Sequence, residues 1–246
     1  VAVNANQLLP IVALTGAGIS AESGVPTFRG DGGLWRDHQV QELATPEAFA
    51  SDPELVWLFY AWRRQLVRGC HPNRAHAALA QMEREVGEFT LITQNVDGLH
   101  QRAGSRLILE LHGSLWRLRC AACGAHWREK TVPFDTMPPT CPSCGSVARP
   151  DVVWFGERLD PILVDQAVAA AASASTFLVV GTSGLVQPAA SLPGLAKRNG
   201  ARVIEFNVDA TPITNLADEL RRGPATHELP RWWKEVRRGR ARITAS

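Results

Sequence analysis

Four cysteines carry the plainest chemistry in the chain. Cys120-Ala-Ala-Cys123 and Cys141-Pro-Ser-Cys144 are two C-x-x-C pairs seventeen residues apart, the spacing of a four-thiolate zinc site. Gly124 and Gly145 follow the pairs and let the backbone turn beneath the sulfurs. With every position of the tetrahedron filled by a thiolate, one zinc per chain would be structural, leaving no open site for a reacting water. The rival use of such pairs, as redox dithiols, needs a thioredoxin-like setting. Cys70 stands apart and reads as a buried small apolar residue.

Other residues could hold phosphate and move protons. Ile11-Val-Ala-Leu-Thr15 reads as a short buried strand, and Gly16-x-Gly18-x-x-Ala21 follows it with the spacing of a dinucleotide-binding turn. Turns that bind nothing share that spacing. Beyond Ser20 the hydrophobic period is lost, Gly24 and Pro26 break the helix, and Asp31-Gly-Gly33 is loop-like. This segment is expected to form a lid over a ligand. Thr93-Gln-Asn-Val-Asp97 follows a second apolar run, which puts two amides and a carboxylate at the carboxyl edge of a sheet. A polar strand end with turn-forming Asn and Asp would look the same. His112 ends the run Leu107–Leu111, where an imidazole could titrate near neutrality. His71, His76, His100 and His126 read as surface or satisfied core groups. Tyr60 and Arg63 lie three apart on a helix, hence on one face. A phenol and a guanidinium so placed could grip a carboxylate, or be an interfacial tyrosine beside a solvated arginine.

Strand-like runs at 11–15, 90–93, 107–111, 176–180 and 202–207 alternate with helical stretches. The alternation predicts an α/β fold: a Rossmann-like parallel sheet with helices on both faces. Two segments too long for loops, about 31–73 and 113–149, are expected to build a smaller zinc-binding and helical module. One catalytic domain over 1–243 would then join a large lobe (about 1–30, 74–112 and 150–236) to this small lobe, with a solvated basic tail over 237–246. The ligand cleft belongs between the lobes, at the carboxyl ends of the strands. With 246 residues, 45% of them hydrophobic, an ordinary core is available, and a net charge of +2 gives no reason to expect a nucleic-acid partner. No apolar run is long enough for a membrane span and no secretory leader is evident, so the cytoplasm is the expected compartment.

The segment Gly16-Ala-Gly-Ile-Ser-Ala-Glu-Ser-Gly-Val-Pro-Thr-Phe-Arg-Gly30 resembles the signature of the sirtuins, the NAD-dependent protein lysine deacylases. The resemblance runs from about Ile11 to Leu229, through Thr93-Gln-Asn-Val-Asp-Gly-Leu-His100, His112-Gly113, the cysteine module, Val153-Trp-Phe-Gly-Glu157, Gly181-Thr-Ser183 and Asn207-Val-Asp209. It implies an enzyme that consumes NAD. The acyl oxygen of a modified lysine would attack C1′ of the nicotinamide ribose, nicotinamide would leave, and lysine and 2′-O-acyl-ADP-ribose would follow. His112 is implied as general base, with Asn95 as its catalytic companion. NAD contacts are implied for Gly16, Ala17, Gly18, Glu22, Thr27, Phe28, Arg29, Trp35, Gln94, Asn95, Val96, Asp97, Gly181, Thr182, Ser183, Asn207, Val208, Asp209 and Ala225. Asp97 would bind the nicotinamide amide and Phe28 would shield the ribose.

An acyl-lysine peptide would enter as an added strand between Val153, Phe155, Gly156 and Glu157 on one side and Gly184 and Val186 on the other, giving broad substrate range. Tyr60-x-x-Arg63 resembles the pair that marks removal of succinyl, malonyl and glutaryl groups, and Ala44 matches the small residue that widens that pocket. Val40 and Gln187 depart from the pattern, so acetyl removal is expected beside a preference for acidic acyl groups. Protein ADP-ribosyl transfer, or NAD sensing by a non-enzymatic module, would use the same residues. Nothing in the sequence requires more than a monomer.

Overall fold

The computed structural model describes residues 8–27, 34–35 and 38–243. Strand β1 (Ile11–Thr15) runs into a 3-10 helix at Ala17–Ser23, closed by Gly24 at φ 89°. Next come β2 (Leu34–Trp35), β3 (His38–Gln39), α1 (Val40–Leu43), α2 (Pro46–Ser51), α3 (Pro53–Gly69) and α4 (Arg74–Val86). Thr45 and Asp52 start α2 and α3 by accepting the amides of Ala48 and Leu55, with a proline in each first turn. Then follow β4 (Phe89–Thr93), α5 (Leu99–Arg102), β5 (Ile108–Glu110), β6 (Gly113–Cys120), β7 (His126–Arg128) and β8 (Ala148–Val152). The chain closes with α6 (Pro161–Ser173), β9 (Thr176–Val180), α7 (Leu192–Arg198), β10 (Arg202–Asn207), β11 (Glu219–Arg222) and α8 (Ala225–Ile243).

Six strands form one parallel sheet in the order β11-β10-β9-β1-β4-β5. The chain builds outward from β1 in one direction through β4 and β5, and in the other through β9, β10 and β11. A crevice therefore opens beyond the carboxyl end of β1. Thr15 pairs with Thr93 on one side and Val180 on the other, so the turns after β1, β4 and β9 emerge level with one another.

Side-chain alternation along the strands feeds two cores. Ile11, Ala13, Leu91, Leu178 and Ile204 pack on α4 and α8 through Leu79, Met82, Leu229, Trp232 and Trp233. Val12, Leu14, Ile92, Phe177 and Val203 pack on α6 and α7 through Ala167, Ala171, Leu192 and Ala196. Each large apolar side chain so buried contributes about 1.5–3 kcal/mol. A third cluster joins Val56, Trp57, Phe59 and Tyr60 of α3 to Leu115, Leu118, Ala148 and Trp154 around the three-stranded sheet β7-β6-β8. The helical insertion and the cysteine segment thus share one core.

Two features differ from expectation. Strand β11, Glu-Leu-Arg-Arg, carries no apolar run, because it is an edge strand held partly by ion pairs, Arg202–Glu219 at 2.6 Å and Arg221–Glu235 at 2.8 Å. The expected basic tail is helix as far as Ile243, and Arg237 pairs with Glu85 of α4 at 3.3 Å. Among the described residues no helix is long and apolar enough to cross a membrane.

Candidate active site

Three turns meet at the crevice. After β1, the amides of Gly16 and Gly18 donate to the carbonyls of Val180 and Gly181, at 3.1 and 2.8 Å. These glycines interlock two loops, and their N–H groups are spent on protein rather than held open for an anion as the motif suggests. The contact leaves no room: a Cβ on Gly18 would lie 2.8 Å from the Gly181 carbonyl oxygen, and one on Gly181, at φ +57°, 2.4 Å from the Ile19 nitrogen.

After β4, Gln94 donates its amide side chain to Thr182 Oγ1 at 2.9 Å, and Asn95 donates to the Gly16 carbonyl at 3.1 Å. Asp97 is buried and its carboxylate accepts from Ser20 Oγ and the Leu99 amide, each at 2.8 Å. Burial raises its pKa, while the two hydrogen bonds and the Arg63 charge pull it down. Val96 is half-buried and its carbonyl receives the Leu115 amide.

His112 occupies the corner between β5 and β6. Its Nδ1 lies 3.0 Å from the Gln94 carbonyl oxygen. A carbonyl only accepts, so Nδ1 carries the proton and Nε2 presents a bare lone pair. Burial lowers the imidazole pKa below its usual 6.5, which keeps it neutral. Gly113 makes the corner possible: its φ is +79°, and a Cβ there would meet the Asp151 carbonyl oxygen at 2.1 Å.

Behind Asp97 lies a polar interior that sequence alone does not assign to the site. Ser20 Oγ sits 3.3 Å from His76 Nε2, and Thr15 Oγ1 lies 3.0 Å from His100 Nε2, the two rings meeting edge to face with centroids 4.8 Å apart. Both histidines are buried as expected; His76 has a partner at each ring nitrogen, whereas His100 Nδ1 has none among the described residues. Burial lowers His76 to about 4 and His100 well below its usual value. An unfolded histidine titrates near 6.5, so this stability is complete above 6.5 and is lost as pH falls toward 4. Urea unfolding should lose about 2 to 3 kcal/mol from His76 alone between pH 7 and 4.5. A stability difference between wild type and His76→Asn that stays constant over this range would contradict it.

The remaining expected residues fall into three groups. Asn207 donates to the Thr182 carbonyl at 2.8 Å, Ser183 accepts from Leu185, Val208 is exposed, and the Asp209 carbonyl receives Arg222. Ala225 begins α8, where Thr226 donates to the Glu22 carboxylate. Glu22 is thereby engaged in anchoring α8 to the nucleotide-type turn. Ala17 and Thr27 are half-buried. Phe28 and Arg29 lie outside the described residues, as does the side chain of Trp35.

On the peptide side, the Val153 amide donates to the His112 carbonyl at 3.0 Å and the Phe155 amide to the Ala44 carbonyl at 2.9 Å. Phe155 and Val186 are exposed. The Glu157 side chain turns inward, to Arg149 at 2.6 Å and Arg119 at 3.0 Å. Its carboxylate braces the loop, a contact invisible without knowing which arginines fold beside it. Tyr60 is buried, and the Arg63 guanidinium lies 5.9 Å from its ring and 5.6 Å from that of Phe59. Burial lowers the Arg63 pKa, and the Asp97 charge opposes that shift.

Cys120, Cys123, Cys141 and Cys144 converge, their sulfurs all within 4.8 Å of one another. The Cys120–Cys144 and Cys123–Cys141 separations are 3.5 and 3.7 Å. A tetrahedron with Zn–S bonds of about 2.3 Å has edges of about 3.8 Å, so the cluster fits one zinc. Arg64 ties this module to α3. Its buried guanidinium donates to the carbonyls of Glu129, Thr131 and Leu115, and lies 5.0 Å from the Trp116 ring. Trp116 in turn donates to the Asp97 carbonyl at 2.6 Å. Cys70 is buried, as expected.

A parallel α/β sheet with a polar crevice at its switch point, joined to a four-cysteine module, defines a nucleotide-binding type of protein with a metal-braced second lobe. The profile of the Sir2 family matches residues 16–188, and the chain belongs to that family. An NAD-dependent protein deacylase of Aquifex aeolicus is 56% identical over 85% of this chain and 88% of the relative. A solved Sir2 homolog–NAD complex is 50% identical with a TM-score of 0.88, covering 93% of this chain and 89% of that one. A Sir2 structure holding a p53 peptide and NAD+ is 34% identical with a TM-score of 0.84, covering 94% and 95%.

Proposed function

We propose that this chain is an NAD-dependent protein lysine deacylase that removes succinyl and malonyl groups in preference to acetyl, yielding nicotinamide and 2′-O-acyl-ADP-ribose. The observation that carries the reading is His112. A neutral imidazole with Nδ1–H fixed on the Gln94 carbonyl and Nε2 bare at a sheet edge is a general base in the required tautomer. The NAD-bound relative and the peptide-bound relative, which share this fold, support the substrates.

Each residue then has a task. Nε2 of His112 takes the proton of a ribose hydroxyl as that oxygen attacks the acyl carbon. Asp97 has accepted two hydrogen bonds, and a carboxylate has about four acceptor positions, which leaves it able to receive the nicotinamide amide. Gln94 and Asn95 orient the ribose, Thr182 and Ser183 meet phosphate, and Asn207 meets the distal ribose. The four thiolates would hold one structural zinc, which shapes the module and takes no part in the chemistry.

Arg63 assigns the acyl class. Its planar guanidinium, beside the Tyr60 phenol, can bind a terminal carboxylate bidentately. Mass spectrometry of acetylated, succinylated and malonylated copies of one peptide, with and without NAD, tests the activity. In Arg63→Met, kcat/KM for the succinyl peptide should fall by about 100-fold relative to the acetyl peptide. Undiminished desuccinylation would remove Arg63 from the pocket.

A further inference from the structure

The tyrosine beside Arg63 is itself oriented by a second residue. The Tyr60 phenol is 2% exposed, and its oxygen accepts a hydrogen bond from Trp154 Nε1 at 2.9 Å. An indole N–H only donates, whereas a phenol has one proton to give and lone pairs to fill. With Trp154 supplying the donor, the Tyr60 proton must go elsewhere, and among the described residues none accepts it.

Trp154 has little freedom. The Arg149 guanidinium lies 3.3 Å from its ring centroid, and Phe49 packs on it at 5.2 Å. Arg149 is held by Glu157 at 2.6 and 2.8 Å, and Glu157 also accepts the Trp154 amide at 2.8 Å. The phenol oxygen is therefore presented with a fixed donor on one side and an unspent proton on the other. A buried donor without an acceptor is costly, and a site built around one discriminates against ligands that cannot satisfy it. An acetyl methyl cannot, and a terminal carboxylate can.

We infer that Trp154 is a specificity-determining positioning residue, whose indole N–H reserves the Tyr60 hydroxyl for the carboxylate of a dicarboxylic acyl group. The inference rests on the deacylase reading above. Through it, the loop that borders the acyl-lysine peptide also sets the choice of acyl group, because Glu157, Arg149, Trp154 and Tyr60 form one continuous chain of contacts.

Trp154→Phe keeps an aromatic ring and deletes the N–H. Its ratio of kcat/KM for succinyl over acetyl peptide should fall about tenfold, mainly through KM for the succinyl peptide. Tyr60→Phe, which removes the same hydroxyl without touching the loop, should lower the ratio as much. The double variant should be no worse than Tyr60→Phe alone. Equal losses for both acyl groups in Trp154→Phe, or multiplicative losses in the double variant, would reduce Trp154 to a packing residue. A ratio preserved in Tyr60→Phe would overturn the inference even if Trp154→Phe failed to fold. Wild-type protein that deacetylates but leaves succinyl-lysine intact would end the inference and the acyl preference together, with the deacylase reading standing. Wild-type protein that acts on neither peptide would end that reading as well.

Discussion

Replacing His112 with asparagine is expected to slow lysine deacylation by about 10²- to 10⁴-fold, the usual worth of a positioned general base. Asparagine can still donate an N–H to the Gln94 carbonyl that now lies 3.0 Å from Nδ1, so the corner between β5 and β6 should keep its shape. In the proposed mechanism, cleavage of the nicotinamide bond precedes the step that needs the base. Exchange of labelled nicotinamide into NAD should therefore persist while acyl transfer stalls. Wild-type kcat/KM should fall at acid pH with a midpoint below 6.5, because burial depresses the imidazole and only the neutral ring can accept a proton. Full deacylation by a folded His112→Asn protein, or an acid limb centred well above 6.5, would remove the imidazole from the mechanism.

Removing the zinc that the four thiols are proposed to hold is expected to abolish activity, although the metal does no chemistry. Structural zinc supplies about 10–16 kcal/mol in small zinc peptides, as much as the whole folding stability of an ordinary domain. Strand β6 carries the consequence. It begins one residue after His112, ends at Cys120, and through Trp116 holds the Asp97 carbonyl. Without the metal, β6 keeps its pairing with β7 and β8 but loses its anchor at Cys120, and the spacing of His112 and Asp97 is expected to loosen together. A chelator, or Cys141→Ser, should lower turnover at least 100-fold, and zinc should restore it to the chelated wild type but not to the variant. Metal-free protein with undiminished turnover would contradict this coupling.

Much of this is legible in the sequence. Strands β1, β4, β9 and β10 are short apolar runs largely buried on both faces, and such runs announce themselves. The cysteine pairs fixed their own spacing, and Gln94, Asp97 and His112 could be set at strand ends because those strands were visible. What stayed hidden depends on partners distant in the chain. Nothing local to Glu22 shows that Thr226, at the start of α8, donates to its carboxylate. Nothing local to Glu157 shows that its carboxylate is held by Arg119 and Arg149. Strand β11 escaped because an edge strand held partly by ion pairs has no hydrophobic period to read. Ser20 lay within the motif, but its link from Asp97 to His76 crosses segments 56 and 77 residues apart, a proximity that no local pattern encodes.

The interlocked turns at Gly18 and Gly181 set a limit on how this scaffold can be re-engineered. Backbone presses against backbone there, so no rotamer change elsewhere can make space for even a methyl group. A library randomised at these two codons and selected for catalysis should return glycine almost alone.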